Sequence, residues 1–208
     1  MTMTRGRKRE TNEVASDMSN LVVMTEPETK ENIVNESFRQ FINRSYHKVS
    51  IDSICFELGI SKGAVFHYFN SKYDLACESL LQGFKKLWSP HLKQIISKGT
   101  PQEKLTQFIR SSVQMFMEHP SFRRFSYEVY EEGENRKDQC TEWLRSYKDH
   151  MNLAMKLYQE CGISNPEGRA RILIASLEGL SSLFISGDFE NQIDPETVSK
   201  DLVEMFVP

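Results

Sequence analysis

The sequence predicts an all-α protein of about nine helices, with a three-helix N-terminal head containing a helix-turn-helix and a larger helical body. From residue 28 onward, apolar side chains recur at three- and four-residue steps, which is the period of an amphipathic helix. Serine, threonine and proline stand where these segments begin, and glycine stands where several of them end. The short β-like run at residues 21–24 has no partner segment with which to form a sheet.

The composition fits one or two small globular domains. The chain has 208 residues, of which 39% are hydrophobic and 26% are charged, so collagen-like and low-complexity classes are excluded. The most apolar segment, residues 172–185, is interrupted by Glu178 and by serines and is too polar for a membrane helix. The N-terminus carries charges where a secretory signal has an apolar core, so we expect a cytoplasmic protein.

Cysteine and histidine spacing predicts neither a metal site nor a bound cofactor. The four cysteines lie far apart and form no CxxC motif, so we expect reduced thiols. The net charge of −3 is not the basic balance of a general nucleic-acid binder, so such a function would have to rest on local residues. Four histidines have no Cys or His neighbour at the spacing of metal ligands, so no metal site is assigned to them. They are His47, His91, His119 and His150.

The head is predicted to follow a disordered extension over residues 1–25. Its first helix begins near residue 28 and places Phe38 and Phe41 on one apolar face. A second helix starts after the N-cap Ser50 and ends at Gly59. Ser61 caps a third, short helix that runs to about residue 68.

The body is predicted to contain the remaining helices. A long helix follows residues 70–72, and Pro90 is expected to kink or break it. Further helices start at Pro101 and Pro120, and residues 131–134 around Gly133 are predicted to form a loop. A long helix then ends before Gly162, and two more run from about residue 165 to 187 and from 194 to 206.

Residues 50–69 have the anatomy of a helix-turn-helix, in which two short helices flank a tight turn. In the second of these helices, Val65 and Phe69 are predicted to face the core. Three other side chains would then point outward: Lys62, Phe66 and His67. Helix hairpins with glycine corners are common in all-α proteins, so this pattern alone does not establish DNA binding.

The residues of this segment resemble the N-terminal domain of TetR-family transcriptional regulators without a gap over positions 41–75. Ser45 stands where the family usually has glycine, so we expect positive φ and slight strain at that corner. The helix layout extends the resemblance to residues 28–208. The matching residues are Phe41, Ser45-Tyr46, Ser50-Ile51, Ile54-Cys55, Leu58-Gly59-Ile60-Ser61, Lys62-Gly63, Phe66-His67-Tyr68-Phe69 and Lys72-Tyr73-Asp74-Leu75.

The resemblance implies that eight residues of the head contact DNA. The hydroxyls of Ser50 and Ser61 and the amides after them suit phosphate oxygens, and Lys62 can reach a phosphate or a guanine edge. Phe66 keeps an aromatic ring for a thymine methyl but lacks the hydroxyl of the family's usual tyrosine. Lys72 resembles the family's backbone-phosphate clamp. The full set is Ser50, Ser61, Lys62, Gly63, Phe66, His67, Tyr68 and Lys72.

Residues 105–160 are rich in methionine and aromatic side chains, most of which are expected to form the core. In TetR-like proteins the same helices enclose an apolar inducer pocket, for which such side chains make adaptable walls. The resemblance therefore implies a hydrophobic small-molecule effector. The candidate pocket residues are Phe108, Phe116, Phe125, Trp143, Tyr147 and Met151, and weaker polar candidates are Arg110, Arg123, Tyr127 and Glu128.

The penultimate predicted helix carries small residues at three- and four-residue steps, which would let another helix approach closely. That helix could belong to the same subunit. In TetR-like proteins, however, the last two helices pair with their copies, so the resemblance implies a homodimer. The candidate interface residues are Ala175, Gly179, Leu180, Ser182 and Leu183, with Ser186 continuing the stripe.

The sequence is therefore interpreted as a homodimeric transcriptional regulator, with repression of a palindromic operator and release by an apolar ligand as the favoured mode. The domains are an extension at 1–25, a DNA-binding head at 26–76 and a ligand-binding and dimerisation body at 77–208. A TetR-like activator and a helical carrier that binds no DNA remain alternatives. An enzyme is not expected, because the sequence shows no nucleophile–base set or phosphate loop. Whether the basic residues at 5–9 contact a minor groove is left open.

Overall fold

The computed structural model describes residues 26–136, 141–185 and 194–208. These ranges contain nine helices and no strand, so the predicted all-α class is confirmed. The predicted N-terminal extension and Ser186 lie outside the described residues, as does the side chain of Trp143. The helices are α1 Glu26–Arg44, α2 Ile51–Leu58, α3 Lys62–Tyr68, α4 Lys72–Ser97, α5 Pro101–Glu118, α6 Pro120–Arg136, α7 Thr141–Glu160, α8 Pro166–Ile185 and α9 Pro195–Phe206.

Local capping explains where these helices begin and end. The hydroxyl oxygens of Ser50, Ser61 and Ser71 accept backbone N–H groups three residues later, at 3.1–3.2 Å. Thr100 and Glu103 form a reciprocal capping box at the start of α5. Gly59 ends α2 at φ 64°, in the left-handed region that glycine adopts without steric cost. The helix starts predicted at these caps are confirmed.

Neither of two predicted breaks in the helical structure forms. The loop predicted at residues 131–134 is wrong, because α6 continues to Arg136. Gly133 is buried on this helix, and an Arg136–Glu132 ion pair one turn apart helps offset the roughly 1 kcal/mol helix cost of glycine. α4 likewise continues without a break past Pro90, which lies on its exposed side while Trp88 is buried beside it, and a kink at Pro90 stays a prediction.

The head core is built by α1–α4 together with one face of α6. Phe41 of α1, Ile54 of α2 and Val65 of α3 are completely buried at its centre. α6 adds Phe122 and Phe125, which both belong to the same cluster. The predicted domain boundary at residues 76/77 therefore falls inside α4, and the head core draws on residues from both sides of it.

α4 can pack this closely against α1 and α6 because Gly83 has no side chain. A Cβ atom at Gly83 would lie 2.3 Å from the ring of Phe38 and 2.8 Å from that of Phe122. Both separations are far below van der Waals contact, so any larger residue would force these rings to shift or the helices to separate. The junction between head and body is therefore tightly packed.

The corner between α1 and α2 is held by side chains from two other helices. Ser45 has φ 79°, which confirms the predicted left-handed corner and places mild strain on a residue other than glycine. Lys72 Nζ donates to the carbonyls of Tyr46 and Val49 at 3.0 and 3.1 Å. The Tyr46 N–H donates to Glu128 Oε2 at 2.6 Å. The start of the helix-turn-helix is thus fixed from α4 and α6.

The body core lies among α4, α5, α7, α8 and α9. Phe108 of α5, Tyr158 of α7 and Leu173 of α8 are completely buried in it. The outer side of α8 remains open to solvent, with Ile172 59% and Leu183 38% exposed. None of the helices in the described ranges has the length and apolar character needed to cross a membrane.

Candidate functional site

α3 divides into a core side and an outer side as the sequence predicts. Val65 and Phe69 are 0% and 5% exposed and anchor the helix on the head core. Lys62 and His67 are exposed, and 47% of Phe66 is accessible to solvent. This short helix therefore presents a cation, an imidazole and an aromatic ring from a rigid base. Such donors and apolar contacts suit the edges of base pairs in a major groove.

Ser50 and Ser61 cap α2 and α3 from exposed positions on the head. In each cap the hydroxyl oxygen accepts a backbone N–H, which uses a lone pair and leaves the O–H able to donate. Gly63 is exposed next to them and leaves the backbone of α3 accessible. The three residues could therefore bind phosphate oxygens while they keep their structural roles.

Lys62 forms an ion pair with Asp52 of α2. Its Nζ lies 2.8 Å from Asp52 Oδ1, with side-chain exposures of 55% and 69%. The hydrogen bond to Asp52 raises the pKa of Lys62, so the ammonium is charged at neutral pH. Because both groups are exposed, the ion pair stabilises the fold little, and Lys62 can exchange Asp52 for a phosphate or a base.

We expect Asp52→Asn to strengthen duplex binding by about 2- to 10-fold at low salt, since it frees Lys62 and removes a negative charge. The gain should shrink as salt rises, because exposed charges are screened. Fluorescence anisotropy with a labelled duplex at two salt concentrations measures it. Asp149→Asn, an exposed change in the body, is the matched control. Unchanged affinity in the Asp52 variant would place α2 away from the DNA.

Lys72 is placed differently from a free phosphate clamp. Besides its two carbonyl bonds, the ammonium lies 4.1 Å from the centre of the Tyr46 ring. Burial lowers the pKa of Lys72. Two of its three N–H donors are therefore committed to the corner between α1 and α2, which leaves one for a phosphate. Tyr68 is partly buried and its ring meets that of His67 edge-on at 4.8 Å.

Phe56 of α2 is a surface residue that was not among the residues predicted from the sequence. It is 84% exposed and lies one helical turn after Asp52, on the same side of α2. The sequence does contain a signal, because Phe56 is out of phase with the inward-facing Ile54 and Cys55. This exposed phenylalanine adds an apolar side chain to the side of α2 that carries Asp52.

A small cavity of about 30 Å³ lies between α4, α5, α6, α7 and α8. This is space for about one water molecule. Trp88, which is 1% exposed, and His150 both line it, and Trp88 Nε1 and His150 Nδ1 have no hydrogen-bond partner among the described residues. Burial, with a smaller contribution from Arg123, lowers the pKa of His150 to about 3, so the imidazole is neutral at physiological pH.

Only part of the predicted pocket meets in this cavity. Phe116 and Tyr147 line it, whereas Phe108 lies in the body core and Phe125 lies in the head core, stacked on Phe41. Met151 packs against the body core. The lining residues that sequence reasoning did not name as pocket walls are Phe84, Trp88, Met115, Phe122, Ser126, His150 and Glu178, while Arg123 was named as a polar candidate.

α6 connects the cavity to the head. On one side, Arg123 pairs with Glu178 of α8 and donates to Ser181 Oγ at 2.7 Å. On the other side, Arg124 donates to the Ile42 carbonyl at 2.8 Å. The remaining polar candidates lie elsewhere: Glu128 bonds the Tyr46 N–H, Tyr127 bonds Ser182, and Arg110 lines a separate groove of about 390 Å³ between α5 and α9.

The predicted interface residues lie on the outer side of α8. Ala175, Gly179, Ser182 and Leu183 are exposed, while Leu180 is partly buried against the body core. A Cβ atom at Gly179 would meet nothing within 4 Å. Packing within this chain therefore does not require glycine at that position.

Sequence comparison identifies the head. Residues 33–78 match the bacterial regulatory proteins of the tetR family. The uncharacterized HTH-type transcriptional regulator YerO of Bacillus subtilis (strain 168) is 32% identical over 98 residues. This alignment covers 46% of the present chain and 34% of that protein, so the chain spans about a third of the curated relative's length.

The fold of most of the chain recurs in solved structures. A transcriptional regulator from Saccharomonospora viridis in complex with choline has TM-score 0.67 at 20% identity, covering 86% of this chain and 95% of that one. FadR from Bacillus subtilis in complex with stearoyl-CoA has TM-score 0.61 at 15% identity, covering 85% and 97%. At these identities the likeness is one of fold. With the match of its head to the family, the predicted resemblance to the tetR family of bacterial regulatory proteins is confirmed.

Proposed function

We propose that this protein is a homodimeric transcriptional regulator rather than an enzyme, and that its head binds a duplex operator under the control of a small effector held in the body. The observation that carries the proposal is α3, a helix anchored by Val65 and Phe69 that exposes Lys62, Phe66 and His67. Repression that the effector relieves is the favoured mode, and activation is the alternative. An in vitro transcription assay with and without effector separates the two.

In this proposal, residues 26–76 form the DNA-binding domain and residues 77–208 form the body. Ser50 and Ser61 donate to phosphates, and the exposed backbone at Gly63 allows close approach. Lys62 and His67 bind base edges, and Phe66 contacts thymine methyl groups. Tyr68 and Lys72 support this surface from its partly buried side. Phosphate contacts fix the position and orientation of the helix on the duplex, whereas contacts to base edges provide the sequence specificity.

The outer side of α8 supports the proposed dimer. Ala175, Gly179 and Ser182 offer a small-residue surface on which a second helix can approach closely, and the exposed Ile172 and Leu183 flank it. A two-fold axis at α8 would pair two heads, so the operator would be an inverted repeat with half-sites about one helical turn, or ~34 Å, apart.

Selection from a random duplex pool with the full-length protein tests the proposed function. We expect enrichment of an inverted repeat, with an affinity that falls linearly on a logarithmic salt scale. Non-specific binding should be retained for shuffled duplexes but with at least ~10³-fold lower affinity. A pool that shows no enriched sequence would contradict the proposal and favour the carrier alternative.

We expect Gly179→Leu to raise the dissociation constant of the dimer by at least ~10-fold, because the four added carbon atoms would separate the paired helices. The protomer itself should stay folded, since this position is exposed and a Cβ there meets nothing. Sedimentation equilibrium measures the dimer, and circular dichroism checks the fold. Lys148→Leu, which adds the same side chain at an exposed site on α7, is the control. An unchanged dimer in the Gly179 variant would place the interface elsewhere.

A further inference from the structure

Arg123 and Glu178 form an ion pair in the wall of the small cavity, and the two partners are unequally buried. The side chains are 11% and 29% exposed. Arg123 is also fixed by its bond to Ser181 and by the Phe116 ring, whose centre lies 4.7 Å from the guanidinium carbon. Glu178 is therefore the partner that can turn toward solvent, whereas Arg123 is held in place.

This asymmetry distinguishes between classes of ligand. A cationic ligand that took Glu178 would leave the buried guanidinium without its anion, which is strongly unfavourable. An anionic ligand that took Arg123 would release the more exposed Glu178 to solvent and keep the guanidinium paired. A carboxylate suits this exchange best, because its oxygen can accept from the same terminal guanidinium nitrogen of Arg123 that now donates to Glu178.

An unpaired donor on one of the residues that line the cavity favours the same head group. Trp88 Nε1–H can only donate, and it has no acceptor among the described residues. Trp88 is 1% exposed, so the missing bond is not supplied by bulk water. The oxygen of a carboxylate or another carbonyl group satisfies such a donor, whereas an alkylammonium group cannot. The apolar lining, including Phe84 and Met115, suits a hydrocarbon or aromatic tail.

We propose that the effector is an apolar carboxylic acid, whose carboxylate replaces Glu178 on Arg123 and accepts a hydrogen bond from Trp88. This inference rests on the proposed function and names the class of ligand that the body binds.

The present cavity of about 30 Å³ is too small for such a tail, so binding requires α6 and α8 to separate or their side chains to rearrange. Loss of the Arg123–Glu178 pair removes one link between these helices. A displacement of α6 would move the head as well, because Arg124 and Glu128 of α6 form hydrogen bonds with its backbone.

Calorimetry on the full-length protein without DNA tests the ligand class. The probes are decanoate and 2-naphthoate, compared with decanol and decylamine. We expect at least one of the two acids to bind at least ~10-fold more tightly than decanol and decylamine, since only an acid can pair with Arg123. Binding should also change the tryptophan fluorescence, and this change should be lost in Trp88→Phe. Failure of both acids to bind, or preference for the amine, overturns the assignment.

Substitutions at the two partners of this ion pair sharpen the test, because those at Glu178 and those at Arg123 should change acid binding in opposite directions. Glu178→Gln removes the competing carboxylate and should tighten acid binding by about 10-fold. Arg123→Gln removes the guanidinium that binds the ligand carboxylate, so it should weaken acid binding by at least ~10-fold. Arg123→Lys should do the same, because it keeps the charge but not the planar set of N–H donors. Glu167→Gln, at an exposed ion pair elsewhere on α8, should change nothing.

A purely structural ion pair would give a different result, since Glu178→Gln and Arg123→Gln would then alter acid binding in the same direction. That outcome overturns the proposal, as does binding that ignores both substitutions. Operator binding by the unliganded protein is measured separately. If it is intact while the acids do not bind, this inference fails and the proposed function stands. If it is absent while the acids bind as described, the proposed function fails and the ligand assignment stands.

Discussion

Replacing Lys62 and His67 together with alanine is expected to lower specific operator affinity by at least ~100-fold, because each base-edge contact contributes about 1–3 kcal/mol of discrimination. Both side chains are exposed on α3, so their removal should not disturb the head core. The affinity for a shuffled duplex should fall much less, since phosphate contacts elsewhere remain. Anisotropy titrations with the selected operator and its shuffled version measure both quantities.

The matched control for this double variant is Lys93→Ala with His119→Ala, which removes the same residue types from the body. Lys93 is exposed and His119 is partly exposed. The control should retain operator affinity within about 2-fold, as distant surface changes usually do. Wild-type operator affinity in the α3 double variant would remove α3 from the DNA-contacting surface and would overturn the assignment of the head.

Phe125→Ala is expected to lower the free energy of unfolding by about 3–5 kcal/mol, the usual cost of truncating a buried phenylalanine. Its ring is 0% exposed and stacks on Phe41 at 5.0 Å between centroids, with Phe38 at 6.4 Å. The truncation would leave a new cavity at the junction of α1 and α6. Urea unfolding followed by circular dichroism measures the change.

Phe56→Ala makes the same truncation at a site that is 84% exposed, and it should change stability by less than ~0.5 kcal/mol. The comparison isolates the effect of burial from that of side-chain chemistry. A similar loss of stability in Phe125→Ala and Phe56→Ala would mean that packing of Phe125 between α6 and the head core does not stabilise the protein. A small loss in Phe125→Ala would mean that neighbouring helices collapse into the space.

The parts of the fold that sequence could predict are those set by local interactions. Ser50, Ser61 and Thr100 act as caps within three residues of their own position, so the sequence carries the signal directly. The strained corner at Ser45 was predictable in the same way, from a family position that usually holds glycine. The loop wrongly predicted at residues 131–134 had local turn signals, but burial of Gly133 on α6 overrides them.

The candidate sites depend on distant contacts, and the sequence predicted them unevenly. The outward side of α3 follows from its period, whereas the Asp52–Lys62 pair needs the angle between two helices. Arg123 and Glu178 lie far apart in sequence, so their pairing and the cavity beside them carry no local pattern. For His150 the sequence shows only that metal-ligand neighbours are absent, and this carries no information about a neutral imidazole in a cavity wall.

The shared core between α6 and the head limits how this protein can be recombined. Because α6 supplies Phe122 and Phe125 to the head cluster, residues 26–76 do not carry their full hydrophobic core with them. A chimera that exchanges only this segment for another regulator's head would place foreign side chains against an unchanged α6 surface. Gly83 limits such an exchange further, since the rings of Phe38 and Phe122 lie so close to it that a bulkier side chain on the exchanged head would not fit between α1, α4 and α6. The exchangeable unit of this architecture is therefore the head together with the α6 face on which it rests.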